Sequence, residues 1–219
     1  MRKRILVLWC AALAVALTGC SIGKGIKGSG NRKAEKRELP AFKAIDTTGA
    51  YEVEVMCQKP ASFEIEADDN ILPLIKTEVR DGVLYVTSEK RYSSSRSVAL
   101  RISLPELIAV SSRGAGEITL QDAKSDDLRI ESMGVASIKA DGKVKTGTIS
   151  STGAGDIDAS RLQAEKARVT VTGAASVNVY ATDQLEVTVS GAGSVTYSGN
   201  PKSVNKNVSG IGSVNKKEE

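Results

Sequence analysis

One short phrase occurs six times between Arg113 and Val214, and it constrains the fold more than any other feature of the sequence. Each copy opens with glycine and ends with a polar or acidic residue followed by a β-branched one. The opening glycines are 20, 19, 20, 18 and 19 residues apart. A period this steady indicates a solenoid with one coil per repeat. The six copies are Gly114–Ile118, Gly134–Ile138, Gly153–Ile157, Gly173–Val177, Gly191–Val195 and Gly210–Val214.

The residues around each phrase have the composition of short strands. Alternating runs such as Arg168–Thr172 and Leu185–Ser190 precede the glycines. Alternation of β-branched and polar residues is typical of strands, and no stretch shows sustained helical spacing. The repeat is also too short for a helical hairpin and lacks a leucine-rich signature. We therefore predict an all-β fold, a single-stranded parallel β-helix with about 19 residues per coil in the C-terminal half.

The last position of each phrase is Ile or Val in every copy. If the coils stack in register, these side chains form one buried ladder. The opening glycine either supplies a backbone conformation that other residues avoid, or lets the chain turn without a side-chain clash. The predicted ladder comprises Ile118, Ile138, Ile157, Val177, Val195 and Val214.

The first twenty residues resemble the export signal of bacterial lipoproteins. A basic start precedes the apolar run from Ile5 to Ala16, which is of secretory length. The run ends in Leu17-Thr-Gly-Cys20, which matches the lipobox pattern. This resemblance implies cleavage after residue 19 and acylation of Cys20 by palmitate and related chains. Ser21, rather than Asp, follows the cysteine, as in lipoproteins of the Gram-negative outer membrane. The alternative is an ordinary signal peptide with a chance cysteine.

The charge of the chain gives no argument for nucleic-acid binding. Removing residues 1–19 lowers the basic count from 30 to 27 against 26 acidic residues. The remaining net charge is about +1, so no nucleic-acid partner is expected. Residues 20–38 are glycine-rich and basic, which favours a flexible basic tether behind the lipidated cysteine.

The remaining chain divides into a head and a short tail. Residues 39–215 form the predicted head, whose first part, up to Leu107, contains less regular strands that we interpret as irregular, capping coils. A bare strand edge at the other end would invite end-to-end association. The charged tail, residues 216–219, is a candidate guard of that edge, and the segment Asn200–Asn207 folding back is the alternative.

The head resembles the GIN-domain family, which is described as auto-transporter adhesin heads. The resemblance spans Leu39 to Val214 and implies a right-handed parallel β-helix. It supplies no catalytic residues. Besides the lipobox and the glycine phrases, it rests on a Phe-x-x-Ile strand (Phe42 to Ile45), a Gly-x-x-x-Val hairpin (Gly49 to Val53) and Asp69-Asn70-Ile71.

Candidate catalytic groups are few. The sequence contains no histidine, which removes the commonest general base and most zinc ligand sets, so no cofactor or metal is expected. Glu117 and Asp156 occupy the same repeat position two coils apart, about 10 Å, which is near the spacing of an inverting glycosidase pair. The other four copies carry serine there, which favours a generic polar position. Cys57 is interpreted as a small core residue, with a reactive thiol as the alternative.

Two functional classes follow. The first is a non-catalytic, membrane-anchored envelope lipoprotein that acts as an adhesin-like or structural module. Its partners would be membrane lipid through Cys20 and a polysaccharide, a protein or a second copy of the chain. The alternative is a carbohydrate-active enzyme that uses Glu117 and Asp156. Only two Phe and five Tyr remain after the signal segment, and few aromatic platforms for sugar rings argue against the enzyme.

The lipobox generates the first testable prediction. Replacing Cys20 by serine removes the thiol that would carry the lipid, so metabolic labelling with palmitate should fall to background. The unlabelled protein should appear in the soluble fraction or as an unprocessed precursor. Undiminished label in the Cys20→Ser protein would show that the lipid is attached elsewhere.

Overall fold

The computed structural model describes residues 25–218, which contain fifteen strands and one turn of 3-10 helix. Cys20 and the export signal lie outside the described residues. The elements are β1 (Ile26–Lys27), β2 (Arg32–Lys36), β3 (Ala44–Cys57), β4 (Ser62–Asp68), the 3-10 turn (Leu72–Leu74), β5 (Ile75–Arg80), β6 (Val83–Ser88), β7 (Tyr92–Ser93), β8 (Val98–Leu104), β9 (Ala109–Ser132), β10 (Val135–Ser151), β11 (Asp156–Val171), β12 (Ser176–Gly191), β13 (Ser194–Ser198), β14 (Ser203–Gly210) and β15 (Ser213–Lys216).

The all-β prediction is confirmed, and the repeat defines how the strands pair. β3, β9, β10, β11 and β12 pair in parallel, each with the next, and the short strands β13, β14 and β15 complete the series. We call this series the stack and each of its levels a layer. The sheet as a whole is mixed, because β2, β4 and β5 pair antiparallel at the N-terminal end.

The predicted ladder of branched side chains is confirmed. Ile138 lies in register with both Ile118 and Ile157, and the column continues through Val177 to Val195. These five side chains are buried. The column ends at Val214, which is only half-buried because no further layer covers it. Burial of one branched side chain in each layer is what fixes the register, since a slip of one residue would turn the whole column outward.

The opening glycines are required for two physical reasons, a close approach of two backbones and an unusual backbone conformation, and their importance differs along the stack. A methyl group on Gly134 would come 2.0 Å from the carbonyl oxygen of Gly114 in the layer below, so close approach of two backbones requires glycine there. Gly191 has the same problem at 2.7 Å from the carbonyl oxygen of Gly173. It also has a φ of +139°, which L side chains rarely adopt. Both explanations therefore apply, and the close approach is common to these two positions.

The N-terminal end is closed by antiparallel strands rather than left open. β4 pairs with β8, and β5 pairs with β6, while β8 and β6 cover the free edge of β3. The chain from Leu72 to Arg80 is a 3-10 turn followed by β5. An edge covered in this way has no free row of backbone groups for another chain to pair with.

The structure differs from the flexible tether predicted over residues 20–38. β2, within that segment, pairs antiparallel with β4 from Arg32↔Asp68 to Lys36↔Glu64. Arg37 anchors the end of this strand: its guanidinium donates to the carbonyl of Ile75 at 2.8 Å and to the hydroxyl of Thr77 at 3.2 Å. The partners lie more than 30 residues away in the sequence, which is why composition alone indicated a linker.

The last layer carries lysines at positions that are apolar in every other layer. Lys206 lies in register with the buried Val187, and Lys216 with the buried Tyr197. The Lys206 ammonium sits 4.9 Å from the centre of the Tyr197 ring and donates to the carbonyl of Val214 at 3.2 Å. Inward-pointing charges of this kind prevent an exposed edge from accepting another strand. Lys216 of the predicted tail is one of these two lysines, and part of the Asn200–Asn207 segment lies in β14 instead of folding back as a loop.

The ladder predicts where the stack is sensitive to a cavity. Ile157→Ala removes buried atoms from the middle of the column and should lower the free energy of unfolding by about 2–5 kcal/mol. Ser176→Ala, on the exposed face beside the ladder, should change it by less than about 0.5 kcal/mol. Urea denaturation of both variants measures the difference. Equal effects would mean that the column is not packed.

The inward lysines predict the association state of the head. Lys206→Val combined with Lys216→Val should convert a monomer into a species that associates with increasing concentration, because the end layer becomes apolar. The matched variant with arginine at both positions keeps the charges and should stay monomeric. Sedimentation velocity of the Cys20→Ser chain lacking residues 1–19 makes the comparison. Association of the unmodified protein would contradict the role assigned to these lysines.

Candidate functional site

The polar column beside the ladder is confirmed by the strand register. It faces outward and contains one residue from each layer, in the order Glu117, Ser137, Asp156, Ser176, Ser194 and Ser213. Serines in such a column lack an adjacent base that could activate them as nucleophiles, since the sequence has no histidine. The column is chemically a row of four hydroxyl groups and two carboxylates on the outer face of the stack.

The two carboxylates of this column do not form an acid–base pair in the structure. Glu117 accepts a hydrogen bond from the Lys139 ammonium at 2.6 Å, so its charge is neutralised by a neighbour in the next layer. Asp156 is exposed to solvent two layers from Glu117. A pair of catalytic carboxylates usually lines a cleft that encloses the substrate. Neither Glu117 nor Asp156 lines any of the depressions described for residues 25–218.

Cys57 is a core residue, as expected. Its side chain is buried among the first layers of the stack. Burial, together with the neighbouring carboxylates of Asp122 and Asp141, raises the pKa of this thiol to about 11. The thiol is therefore protonated at neutral pH and is a poor nucleophile. Cys20, the predicted lipidation residue, lies outside the described residues.

A shallow groove crosses the layers on a different side of the stack. It follows the points where the strand register shifts, near Asp141 in β10 and near Gln163 in β11. Three depressions of about 450 to 530 Å³ join to form it: two of them share Lys143 and Glu165, and two share Glu106 and Asp126. A fourth, of about 370 Å³, shares no lining residue with them but extends the groove at Lys166, the chain neighbour of Glu165. Five successive layers line the groove, so at about 4.8 Å per layer it is roughly 20 Å long. We call it the lateral groove.

Ion pairs between adjacent layers line the lateral groove. Asp126 accepts from Lys145 at 2.9 Å, and this contact raises the pKa of the lysine. Asp183 accepts from Lys202 at 2.9 Å, which lowers the pKa of that carboxyl group. Such exposed pairs stabilise the fold only weakly. Their main effect is to hold charged side chains in fixed positions along the groove.

Three lysines in the lateral groove have no such partner. Lys124 and Lys143 lie in register in adjacent strands, one layer apart, and the next residue in their column is Gln163. Lys166 lies between Thr146 and Gln184 in a neighbouring column. Within residues 25–218, none of the three lysines makes an ion pair, whereas their neighbours do. They leave ammonium and amide donors pointing into the groove.

The lateral groove was not predicted from the sequence. The signal was present, since Lys124 and Lys143 are 19 residues apart, one repeat period. Register shifts after the glycine phrases and variable connection lengths hide which later residues align. Lys124 is the tenth residue after Gly114 whereas Lys143 is the ninth after Gly134, so an alignment anchored on the glycines places the two lysines in adjacent columns.

The described residues provide neither a metal-ligand cluster nor a membrane-spanning helix. Across residues 25–218 no cluster of three or more Cys, Asp or Glu side chains is arranged to hold a metal ion. Within the same residues, no helix is long and apolar enough to cross a membrane. The four depressions of the lateral groove are lined without aromatic side chains.

Comparison with solved structures shows the fold that the chain shares. A protein from Bacteroides fragilis NCTC 9343, described as "a putative adhesin", superposes with a TM-score of 0.74 at 22% identity, covering 88% of this chain and 100% of that one. A "putative adhesin" from Parabacteroides merdae ATCC 43184 gives 0.59 at 19% identity, covering 88% and 99%. A "putative lipid binding protein" from Parabacteroides distasonis ATCC 8503 gives 0.53 at 20%, covering 89% and 100%.

The sequence comparisons identify the family. No curated protein matches the chain. The sequence model of one family, described as "Putative auto-transporter adhesin, head GIN domain", matches residues 41–201 of the 219 residues. The match covers β4 and β5 of the antiparallel N-terminal end and most of the stack, but begins after β2. The chain therefore belongs to the GIN-domain family, as the repeated glycine phrase and the Asp69-Asn70-Ile71 segment indicated.

Proposed function

We propose that this protein is a non-catalytic lipoprotein of the bacterial cell envelope whose head binds an extended polymer, with a polysaccharide as the first candidate. Export would remove residues 1–19, and acylated Cys20 would hold the protein at the outer membrane. The head, residues 39–215, would be a right-handed parallel β-helix in which each layer is one coil. Membership of a family described as adhesin heads supports an adhesin-like role on the envelope.

The lateral groove is the observation that carries the binding proposal. It is long, shallow and polar, and it runs across the layers, so an extended chain can lie along it and contact each layer in turn. Lys124, Lys143 and Lys166 offer unpaired donors, and Gln163 and Gln184 add amide groups. Hydroxyl and carboxylate groups of polysaccharides accept hydrogen bonds from such donors. Spacing of about 4.8 Å between layers presents these donors at regular intervals.

A carbohydrate-active enzyme is the weaker alternative. Its candidate carboxylates, Glu117 and Asp156, lie in the polar column beside the ladder and line none of the depressions of the lateral groove. Glu117 is engaged by Lys139. Release of reducing sugar ends from an envelope polysaccharide, abolished by Glu117→Gln or Asp156→Asn, would overturn the non-catalytic reading.

The groove predicts which residues matter for polysaccharide retention. A variant with glutamine at Lys124, Lys143 and Lys166 loses three groove charges and should bind immobilised acidic envelope polysaccharides at least about tenfold more weakly, because several charge-assisted hydrogen bonds are lost. The matched control places glutamine at Lys33, Lys36 and Lys90, which line none of the depressions of the lateral groove. It loses the same charge and should bind like the unmodified protein. Surface plasmon resonance at fixed ionic strength makes the comparison.

Equal losses in both variants would mean that only net charge matters and that the groove is not the site. If the unmodified protein retains no acidic or neutral polysaccharide, the polymer proposal fails and a protein ligand becomes the better candidate.

A further inference from the structure

The N-terminal end of the stack carries a compact basic surface that the lateral groove does not include. Two segments distant in sequence meet there: β1 pairs with β7, so Lys27 lies opposite Ser93. The backbone nitrogen of Ile26 donates to the carbonyl of Arg91 at 2.9 Å, and the Arg32 guanidinium reaches the carbonyl of Ser97 at 3.0 Å. We call this surface the basic cap; its exposed cations are Lys27, Lys33, Lys90, Arg91 and Arg96.

The charge of the basic cap is not compensated within the head. Residues 25–34 and 90–97 contain six basic and no acidic residues. None of the five cap cations makes an ion pair among the described residues, although ion pairs occur close by, at Arg32–Glu66 and Lys76–Glu89. Residues 1–24, which precede the described part, contain no Asp or Glu in the sequence. Unpaired like charges held together by a folded scaffold repel one another, so an anionic partner stabilises them.

The carboxylates beside the basic cap, those of Asp68, Asp69 and Glu66, already accept hydrogen bonds from other groups. Asp68 is buried and accepts from the Ser94 hydroxyl at 2.9 Å. Asp69 accepts from the Ser29 hydroxyl at 2.5 Å. Hydrogen bonds from Arg101 and Arg32, in that order of importance, lower the pKa of Glu66. These acids therefore fix the backbone of the two segments and leave the cap cations facing solvent.

The basic cap also lies next to the proposed site of lipid attachment. Gly25, the first described residue, is five positions after Cys20, and five residues span at most about 18 Å in any conformation. A chain anchored at Cys20 therefore keeps the basic cap close to the membrane surface. Electrostatic attraction to anionic lipids acts over about one Debye length, near 10 Å, and each lysine or arginine at the surface adds to it.

We infer that the basic cap docks on an anionic membrane surface, so that the head stands on its N-terminal end with the stack directed away from the bilayer. The inference rests on the proposed lipid anchor for its geometry. Its occupant is the headgroup layer of anionic phospholipids, because a flat layer of phosphates matches cations spread over two segments. The lysine-bearing last layer then lies at the end of the head farthest from the anchoring membrane, and the lateral groove runs along the side of the head.

The test uses the full lipidated protein with two vesicle compositions. Protein extracted from membranes is reconstituted with phosphatidylcholine vesicles and with vesicles containing about one third phosphatidylglycerol. Flotation measures anchoring, and hydrogen exchange measures docking. On anionic vesicles the amides of residues 26–33 and 90–97 should exchange several-fold more slowly than on neutral vesicles, and high salt should remove the difference. Amides in β11 and β12 serve as an internal reference that does not change.

Two variants that lose the same number of charges distinguish docking by the basic cap from a general effect of net charge. Glutamine at Lys27, Lys90 and Arg96 should abolish the slower exchange on anionic vesicles, whereas glutamine at the groove residues Lys124, Lys143 and Lys166 should preserve it. Circular dichroism confirms that both variants are folded. Loss of the protection in both variants, or in neither, overturns the inference.

The outcomes also distinguish docking from anchoring. If the protein floats with both vesicle types but residues 26–33 and 90–97 exchange equally on both, the anchor stands and docking is refuted. If it does not float with neutral vesicles, the lipid anchor is refuted. Flotation with anionic vesicles alone, abolished by the cap variant, then still supports the inference. Failure to float with either type refutes both.

Discussion

Close stacking of parallel backbones is the constraint on which the rest of this structure depends. Each layer gives its backbone donors and acceptors to the layers on either side, with a register step of about one repeat. At the glycine phrases the backbones approach so closely that even a methyl group at Gly134 would meet the carbonyl oxygen of Gly114. Each inner layer pairs with a layer on either side, so unpaired strand edges can occur only at the two ends of the stack. Both ends differ chemically from the middle layers.

The two ends of the stack differ in how they keep an exposed strand edge from pairing with another chain. The N-terminal end folds β4, β5 and β2 back in antiparallel pairs, so the edge is occupied by the chain itself. The C-terminal end has no such excursion in the described chain and instead places Lys206 and Lys216 at inward positions. An antiparallel cap needs many residues, which the long segment between β3 and β9 provides. A pair of lysines needs only two substitutions in an otherwise ordinary layer.

Periodic features were predictable from the sequence, and non-local ones were not. The ladder through Ile138 and Ile157 and the polar column through Asp156 follow directly from a repeat of constant length. β2 could not be predicted, since its stability comes from pairing with β4 and from the Arg37 contacts, which local composition does not reveal. The lateral groove was missed because strand bulges shift the alignment of Lys143 and Gln163 relative to the glycines. The sequence pattern therefore predicts the strand register reliably near each glycine and less reliably farther along the repeat.

The inner face of the stack becomes more apolar from β9 and β10 to β11 and β12. Ser132 and Ser151 lie in register with each other, buried and without a hydrogen-bond partner for either hydroxyl, and their column continues as Val171 and Val189. Unpaired buried hydroxyls are costly, whereas valine in the same column is not. The more uniformly apolar layers are thus the later ones, between β11 and β12.

That uniformity has an evolutionary consequence. A middle layer such as β11 or β12 meets nearly the same surface above and below, because its neighbours repeat the glycine phrase and the branched ladder. In-frame duplication or deletion of one such unit leaves both specialised ends intact and preserves every interlayer contact type. The domain can therefore change its length in whole units during divergence, each adding about 4.8 Å of surface along the stack. Variation in ligand length among descendants would then require no new fold, only a different number of copies of the same short gene segment.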